Sequence, residues 1–141
     1  MAVRVMLKIR TETRVLETPA LANSGYEAET AQLLVPVKVA ELLGLWPPEP
    51  GSETIFETAG GPLRVWIRPR ACYVSVVSNG ESSREVVADL VISLLADEIL
   101  MSDRLISELS IVLEDAANGL WRFRWESPTV LRRSAPPKYW K

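Results

Sequence analysis

The stretch Pro19-Ala20-Leu21-Ala22-Asn23-Ser24-Gly25 decides the fold, because a short apolar run leads directly into a small polar turn. The apolar residues up to Ala22 are typical of a strand. Pro19 cannot donate a ladder hydrogen bond, which predicts a bulge or a sheet edge at that position. Gly25 tolerates the backbone angles of a tight loop. The stretch therefore predicts a strand that delivers Asn23 into a loop.

Strand patterns flank this stretch on both sides. Aliphatic residues occupy every second position along Val3–Arg10 and Leu63–Arg68, alternating with arginine, lysine, Met6 or Trp66, and Pro69 is expected to end the second of these strands. Ala71–Ser78 is predicted to form a further strand, Asn79-Gly80 a hairpin turn, and Val86–Ile92 a strand buried on both faces. We expect about eight strands, a number that suits a small closed β domain.

Two short helices interrupt the strands. Pro36 suits the first turn of one helix, and Gly44 is a plausible stop. Ser102 is a good N-cap for the second helix, with Asp103 in its first turn. Only these two segments carry a helical pattern, so the sequence predicts a mainly β fold.

Composition excludes several classes of function. The chain has 141 residues, no histidine, one cysteine and a net charge of −2. The absence of histidine excludes a Ser-His-Asp triad or an HExxH zinc site within the chain. No Gly-rich nucleotide loop or carboxylate metal loop is found, so we predict no cofactor and no metal. The lone Cys72, expected in the core, and the absence of a long apolar segment predict a cytoplasmic protein without membrane contact.

The order of the elements resembles that of the retropepsin-like aspartic proteases, especially small archaeal and bacterial members. The resemblance runs from Val3 to Trp125 and rests on the Asn23-Ser24-Gly25 loop, the Gly60-Gly61 hairpin and the segment Ile99–Leu109. It implies a single-lobed, closed β-barrel of the acid-protease fold. It also implies a homodimer in which two copies of the loop meet at a two-fold axis.

The resemblance also assigns candidate site residues. Asn23, Ser24 and Gly25 occupy the positions of the catalytic Asp-Thr/Ser-Gly loop. Gly60 and Gly61 correspond to the tip of a flap over a bound peptide, with Trp66 as a further ligand-binding candidate. The support segment behind the loop is Leu100-Met101-Ser102, in which Ser102 replaces the family's glycine.

Asn23 changes the expected chemistry. Aspartic proteolysis needs two carboxyl groups that share one proton, and an amide can act as neither acid nor base. We therefore expect an inactive homodimer, a pseudoenzyme that binds an extended peptide or protein segment. The alternative is an active peptidase that uses Glu27 or Glu29, or one whose natural residue at position 23 is aspartate.

The end of the chain differs from the rest. Residues 1–126 are predicted to form the β domain, and residues 127–141 a basic, proline-containing tail that is extended or disordered, with Tyr139-Trp140 as a docking point. Aromatic residues alternate with arginines at Leu120–Trp125, a pattern that also permits a nucleic-acid-binding β module. Core or dimer packing explains the same aromatics, and the net charge argues against nucleic acid.

Overall fold

The computed structural model describes residues 2–79 and 81–141, and these residues form eleven strands and two short helices. The strands are Arg4–Arg10 (β1), Val15–Ala22 (β2), Gln32–Pro36 (β3), Glu53–Thr58 (β4), Gly61–Ser78 (β5), Glu81–Ser82 (β6), Val86–Ser93 (β7), Leu100–Met101 (β8), Ile111–Asp115 (β9), Leu120–Phe123 (β10) and Arg132–Arg133 (β11). The helices are Val37–Leu42 (α1) and Asp103–Glu108 (α2). The predicted mainly β fold with two short helices is confirmed, with more strands than expected.

The pairings of the main sheet close into a ring. β1 pairs with β2, β2 with β8, β8 with β3, β3 with β7, β7 with β5, and β5 again with β1. β4 extends from β5 as a hairpin beyond this ring, and β9, β10 and β11 form a second, three-stranded sheet. None of the helices in the described part of the chain is long and apolar enough to span a bilayer.

The apolar alternation of β1 fills the inside of the ring. Val5, Leu7 and Ile9 are fully buried, whereas the intervening residues are half-exposed. This strand therefore behaves as its period-two pattern predicts, because successive side chains of a strand point to opposite faces. Cys72 is also buried, as expected of a core residue, and desolvation followed by the charge of Asp89 raises the pKa of its thiol to about 12.

The two prolines that were expected to disturb strands behave differently. Pro19 pairs across from Met6, and β2 meets β8 only at Leu21 and Ala22 in the described part of the chain. Pro19 thus lies at a sheet edge, as predicted, without a bulge.

Pro69 does not end its strand, contrary to the expectation. β5 runs on from Gly61 to Ser78, and its register with β7 shifts between Arg68 and Cys72. Arg70 has a φ of 50° in this irregularity, and its N–H donates to Asp89 Oδ1 at 2.8 Å. A bulge leaves residues out of the ladder, so the missing N–H of proline is tolerated there. The predicted Asn79-Gly80 turn includes Gly80, which lies outside the described residues.

The tail folds back on the domain in an extended conformation. The N–H of Arg4 donates to Ser134 Oγ at 2.7 Å, and the N–H of Ala135 donates to the Arg4 carbonyl at 2.8 Å. Trp140 is half-buried against the main core, and its backbone N–H donates to the Asp97 backbone carbonyl at 2.6 Å. Trp140 therefore holds the end of the described chain against the core, whereas Tyr139 is exposed.

An ion pair at the start of the tail should make stability depend on pH. The Arg132 guanidinium donates two hydrogen bonds to the Glu126 carboxylate, from Nε to Oε1 at 2.9 Å and from Nη2 to Oε2 at 2.7 Å. This contact lowers the pKa of the Glu126 carboxyl below its ordinary 4.5. A carboxyl group whose pKa is lowered by folding stabilises the folded state at pH values above its ordinary pKa. That stabilisation disappears as the pH falls through the pKa of the folded state.

We expect Glu126→Gln to reduce the loss of unfolding free energy between about pH 7 and about pH 3, measured by urea denaturation at each pH. Glu12→Gln, at an exposed position without such a contact in the described residues, is the control. An unchanged pH dependence in Glu126→Gln would contradict the linkage.

Candidate functional site

The Asn23 loop is a tight turn directly after β2. The N–H of Asn23 donates to the Met101 carbonyl at 3.2 Å, and the N–H of Tyr26 donates to the Asn23 carbonyl at 3.0 Å. Asn23 Oδ1 accepts the N–H of Gly25 at 3.1 Å. The side-chain amide therefore closes the turn on its own backbone, while the exposed Ser24 points to solvent.

Gly25 is needed for space rather than for an unusual backbone angle. The described glycines with positive φ are Gly44, Gly51, Gly61 and Gly119, so the tight loop does not require the left-handed region at Gly25. A Cβ at Gly25 would lie 3.3 Å from Asn23 Oδ1. Such a contact is tight, and a larger residue would disturb the bond that holds the Asn23 side chain.

The segment Leu100-Met101-Ser102 lies directly beside the loop. β8 runs parallel to the end of β2, with Leu100 opposite Leu21 and Met101 opposite Ala22. Met101 is fully buried, and its other neighbour in the sheet is Leu33 on β3. The segment therefore ties the strand that enters the loop to the strand that leaves it.

Ser102 joins this segment to both β3 and α2. Its buried Oγ accepts the N–H of Gln32 at 3.0 Å and the N–H of Leu105 at 3.2 Å. The second contact is the predicted N-cap of α2. Asp103 continues the connection, because its N–H donates to the Tyr26 carbonyl at 2.8 Å and its Oδ1 accepts the N–H of Ala28 at 3.0 Å.

A cleft of about 980 Å³ separates the Asn23 loop from the β4–β5 hairpin. Its apolar lining comes from Leu34, Ile55, Phe56, Leu63 and Leu100. The remaining lining residues are polar or small: Asn23, Gly25, Tyr26, Glu27, Ala28, Glu29, Thr30, Gln32, Glu57, Thr58 and Ala59. The cleft is thus an open, amphipathic groove of a size that suits a short peptide.

The predicted glycine-tipped hairpin forms one wall of this cleft. Thr58 pairs with Gly61, whose φ is 108°, and Thr58 Oγ1 accepts the N–H of Gly60 at 3.2 Å. Thr58 and Ala59 line the cleft directly before the two glycines. Gly60 and Gly61 therefore shape the tip, whereas the residues before them face the groove.

Trp66 packs away from the cleft. Its ring meets Trp46 edge to face with centroids 5.5 Å apart, and the Arg64 guanidinium lies 4.9 Å from its centroid. The aromatics of β10 are also packing residues, since Trp121 and Phe123 are both buried. The expectation of core packing is confirmed for these two side chains.

A chain of polar contacts that the sequence did not predict links three residues of the cleft lining to Asp89. Tyr26 OH donates to Gln32 Oε1 at 2.8 Å, Gln32 Nε2 donates to Thr30 Oγ1 at 3.1 Å, and Thr30 Oγ1 donates to Asp89 Oδ2 at 2.7 Å. Desolvation, followed by the charge of Asp89, raises the pKa of Tyr26. Tyr26 therefore stays a protonated hydrogen-bond donor. The only signal for it in the sequence was its position just after the loop.

The carboxylates nearest the loop differ in their surroundings. Glu27 and Glu29 line the cleft and are exposed. The Asp103 carboxylate, in contrast, accepts hydrogen bonds from the backbone N–H groups of Ala28 and Arg104. Among the described residues, no three acidic or cysteine side chains converge as a metal site would require. The site can therefore bind by shape, hydrogen bonds and negative charge.

Neither a protein-family model nor a curated protein sequence matches this chain.

Proposed function

We propose that this protein is a homodimeric binding module on a retropepsin-like scaffold, which holds an extended peptide without cleaving it. The observation that carries the proposal is the cleft between the Asn23 loop and the glycine-tipped β4–β5 hairpin. Its apolar lining supplies pockets for side chains, and the hairpin offers backbone groups for strand addition.

The free edge of β4 supports this mode of binding. In the described part of the chain, β4 pairs only with β5, so its other edge carries backbone groups without a strand partner. Ile55, Phe56 and Glu57 of this strand border the cleft. A peptide laid along the edge would gain main-chain hydrogen bonds and place alternate side chains against the apolar lining.

Asn23 supports binding rather than hydrolysis. An amide does not titrate in the working pH range and so cannot act as a general acid or base, and the oxygen of Asn23 already accepts the N–H of Gly25. Two copies of the loop at a two-fold axis would bring together two amides and no carboxylate. Water held there would lack a general base.

The binding test uses three fluorescein-labelled hexapeptides with a common Val-Leu-Phe-Val centre, flanked on both sides by Lys, Gln or Glu. We expect at least one to bind, and Leu63→Gln to weaken that binding about tenfold because half-buried Leu63 lines the cleft. Fluorescence anisotropy measures the affinity. Val15→Gln, at an exposed position outside the cleft, is the matched control. Absence of binding by all three peptides, or equal binding by Leu63→Gln, would overturn the proposal.

A second candidate function is supported by the placement of Glu27 and Glu29 in the cleft lining. It is acid-type peptidase activity with one of these carboxylates as the base. Peptide-library cleavage by the native chain, abolished by Glu27→Gln or Glu29→Gln, would establish it. Cleavage gained only in Asn23→Asp, together with a dimer mass in light scattering, would instead support the inactive-module proposal.

A further inference from the structure

The lining of the cleft is acidic on both of its walls. Glu27 and Glu29 belong to the loop after Asn23, and Glu57 belongs to β4 on the hairpin. No lysine or arginine is among the described residues that line the cleft. The groove thus combines an apolar floor with negative charge from two separate segments.

These three carboxylates are also without cationic neighbours. No ion pair of Glu27, Glu29 or Glu57 is found within the described residues, and all three side chains are exposed. On the same hairpin, by contrast, Glu53 forms an ion pair with Arg64 at 2.6 Å. The negative charge of the cleft is therefore available to a ligand.

A second, smaller depression continues the groove. It is about 230 Å³ in volume and shares Leu34, Leu63 and Leu100 with the cleft, adding Leu95 and Ala96 at its far end. Leu95 is 82% exposed. The apolar floor is therefore longer than the cleft alone, which suits a ligand with several apolar side chains in an extended conformation.

We propose that the ligand is a cationic extended peptide, with apolar residues in the centre and Lys or Arg on the flanks. This inference rests on the proposed function and names the chemistry of its ligand. Carboxylates beside a low-dielectric floor concentrate negative potential, which favours cationic partners and repels acidic ones. Because these glutamates are exposed, their effect is modest and weakens in salt.

The three hexapeptides of the binding test separate the contribution of charge from that of apolar contact, because they share one apolar centre and differ only in their flanking residues. We expect the Lys-flanked peptide to bind about tenfold more tightly than the Gln-flanked one at about 50 mM salt, and the Glu-flanked one to bind most weakly. The preference should shrink at about 300 mM salt. The combined variant Glu27→Gln/Glu29→Gln/Glu57→Gln should bind the Lys-flanked and Gln-flanked peptides alike.

The matched control is Glu12→Gln/Glu41→Gln/Glu108→Gln, which changes the net charge equally at exposed positions outside the cleft. This variant should keep the preference for lysine. Equal affinities for all three peptides would overturn the charge inference and leave the proposed function standing. Loss of the preference in the control would also overturn it, because overall charge would then explain the selectivity. Absence of any binding would overturn the proposed function itself.

Discussion

Phe123→Ala is expected to lower the free energy of unfolding by about 3–5 kcal/mol, the range found when a buried aromatic side chain is truncated. Phe123 is the largest fully buried side chain of the described residues. Its ring stacks on Trp125 with centroids 4.4 Å apart and meets Trp121 edge to face at 5.2 Å. Removal of the ring leaves a cavity and ends both aromatic contacts.

Urea denaturation followed by far-ultraviolet circular dichroism measures this loss. Trp125→Ala is the control, because it removes the stacking partner from a position that is 53% exposed. We expect it to cost about 0.5–1.5 kcal/mol, the value of an aromatic pair, plus a partial burial contribution. A Phe123→Ala variant no less stable than Trp125→Ala would show that burial is not the main contribution of this ring.

Ser102→Ala is expected to lower the free energy of unfolding by about 1.5–5 kcal/mol, because one buried hydroxyl accepts two backbone N–H groups. The loss of an N-cap contributes about 0.5–2 kcal/mol. The N–H of half-buried Gln32, which also donates to Ser102 Oγ, loses its partner, which adds about 1–3 kcal/mol. The expected loss of unfolding free energy therefore exceeds that of a helix N-cap alone.

Two measurements test this dual role. Chemical denaturation gives the total loss, and amide hydrogen exchange reports whether the Gln32 N–H becomes less protected in Ser102→Ala. Ser107→Ala, at an exposed position of the same helix, should change stability by less than about 0.5 kcal/mol. Unchanged exchange at Gln32 would contradict the link between Ser102 and β3, even if α2 were destabilised.

Local patterns predicted most of the regular structure. The alternation in β1, the nearly continuous apolar run of β7 and the Ser102 cap of α2 all depend on residues close together in the sequence. Such features follow from side-chain periodicity and local hydrogen bonding, which a sequence shows directly. Pro69 was misleading because a bulge, set by pairing with β7, accommodates it within one long strand.

The candidate site was predictable only in part. The Asn23 loop and the glycine-tipped hairpin were expected, and both border one cleft. Trp66 was expected to contact a ligand, yet it packs on Trp46, which lies in the loop after α1. The sequence does not show which face of β5 this loop covers, and so it could not place Trp66. Tyr26 and its contact with Gln32 had no signal beyond proximity to the loop.

The sequence by itself determined the positions of β1, β7 and the two short helices, the lack of histidine chemistry and the amide at position 23, because these depend on residue identity and short-range order. Tertiary structure alone decided that Glu57 shares a cleft with Glu27 and Glu29, and that Ser102 satisfies the N–H of Gln32. The reason is physical: closure of the ring brings together segments tens of residues apart, and only their packing determines which polar groups meet.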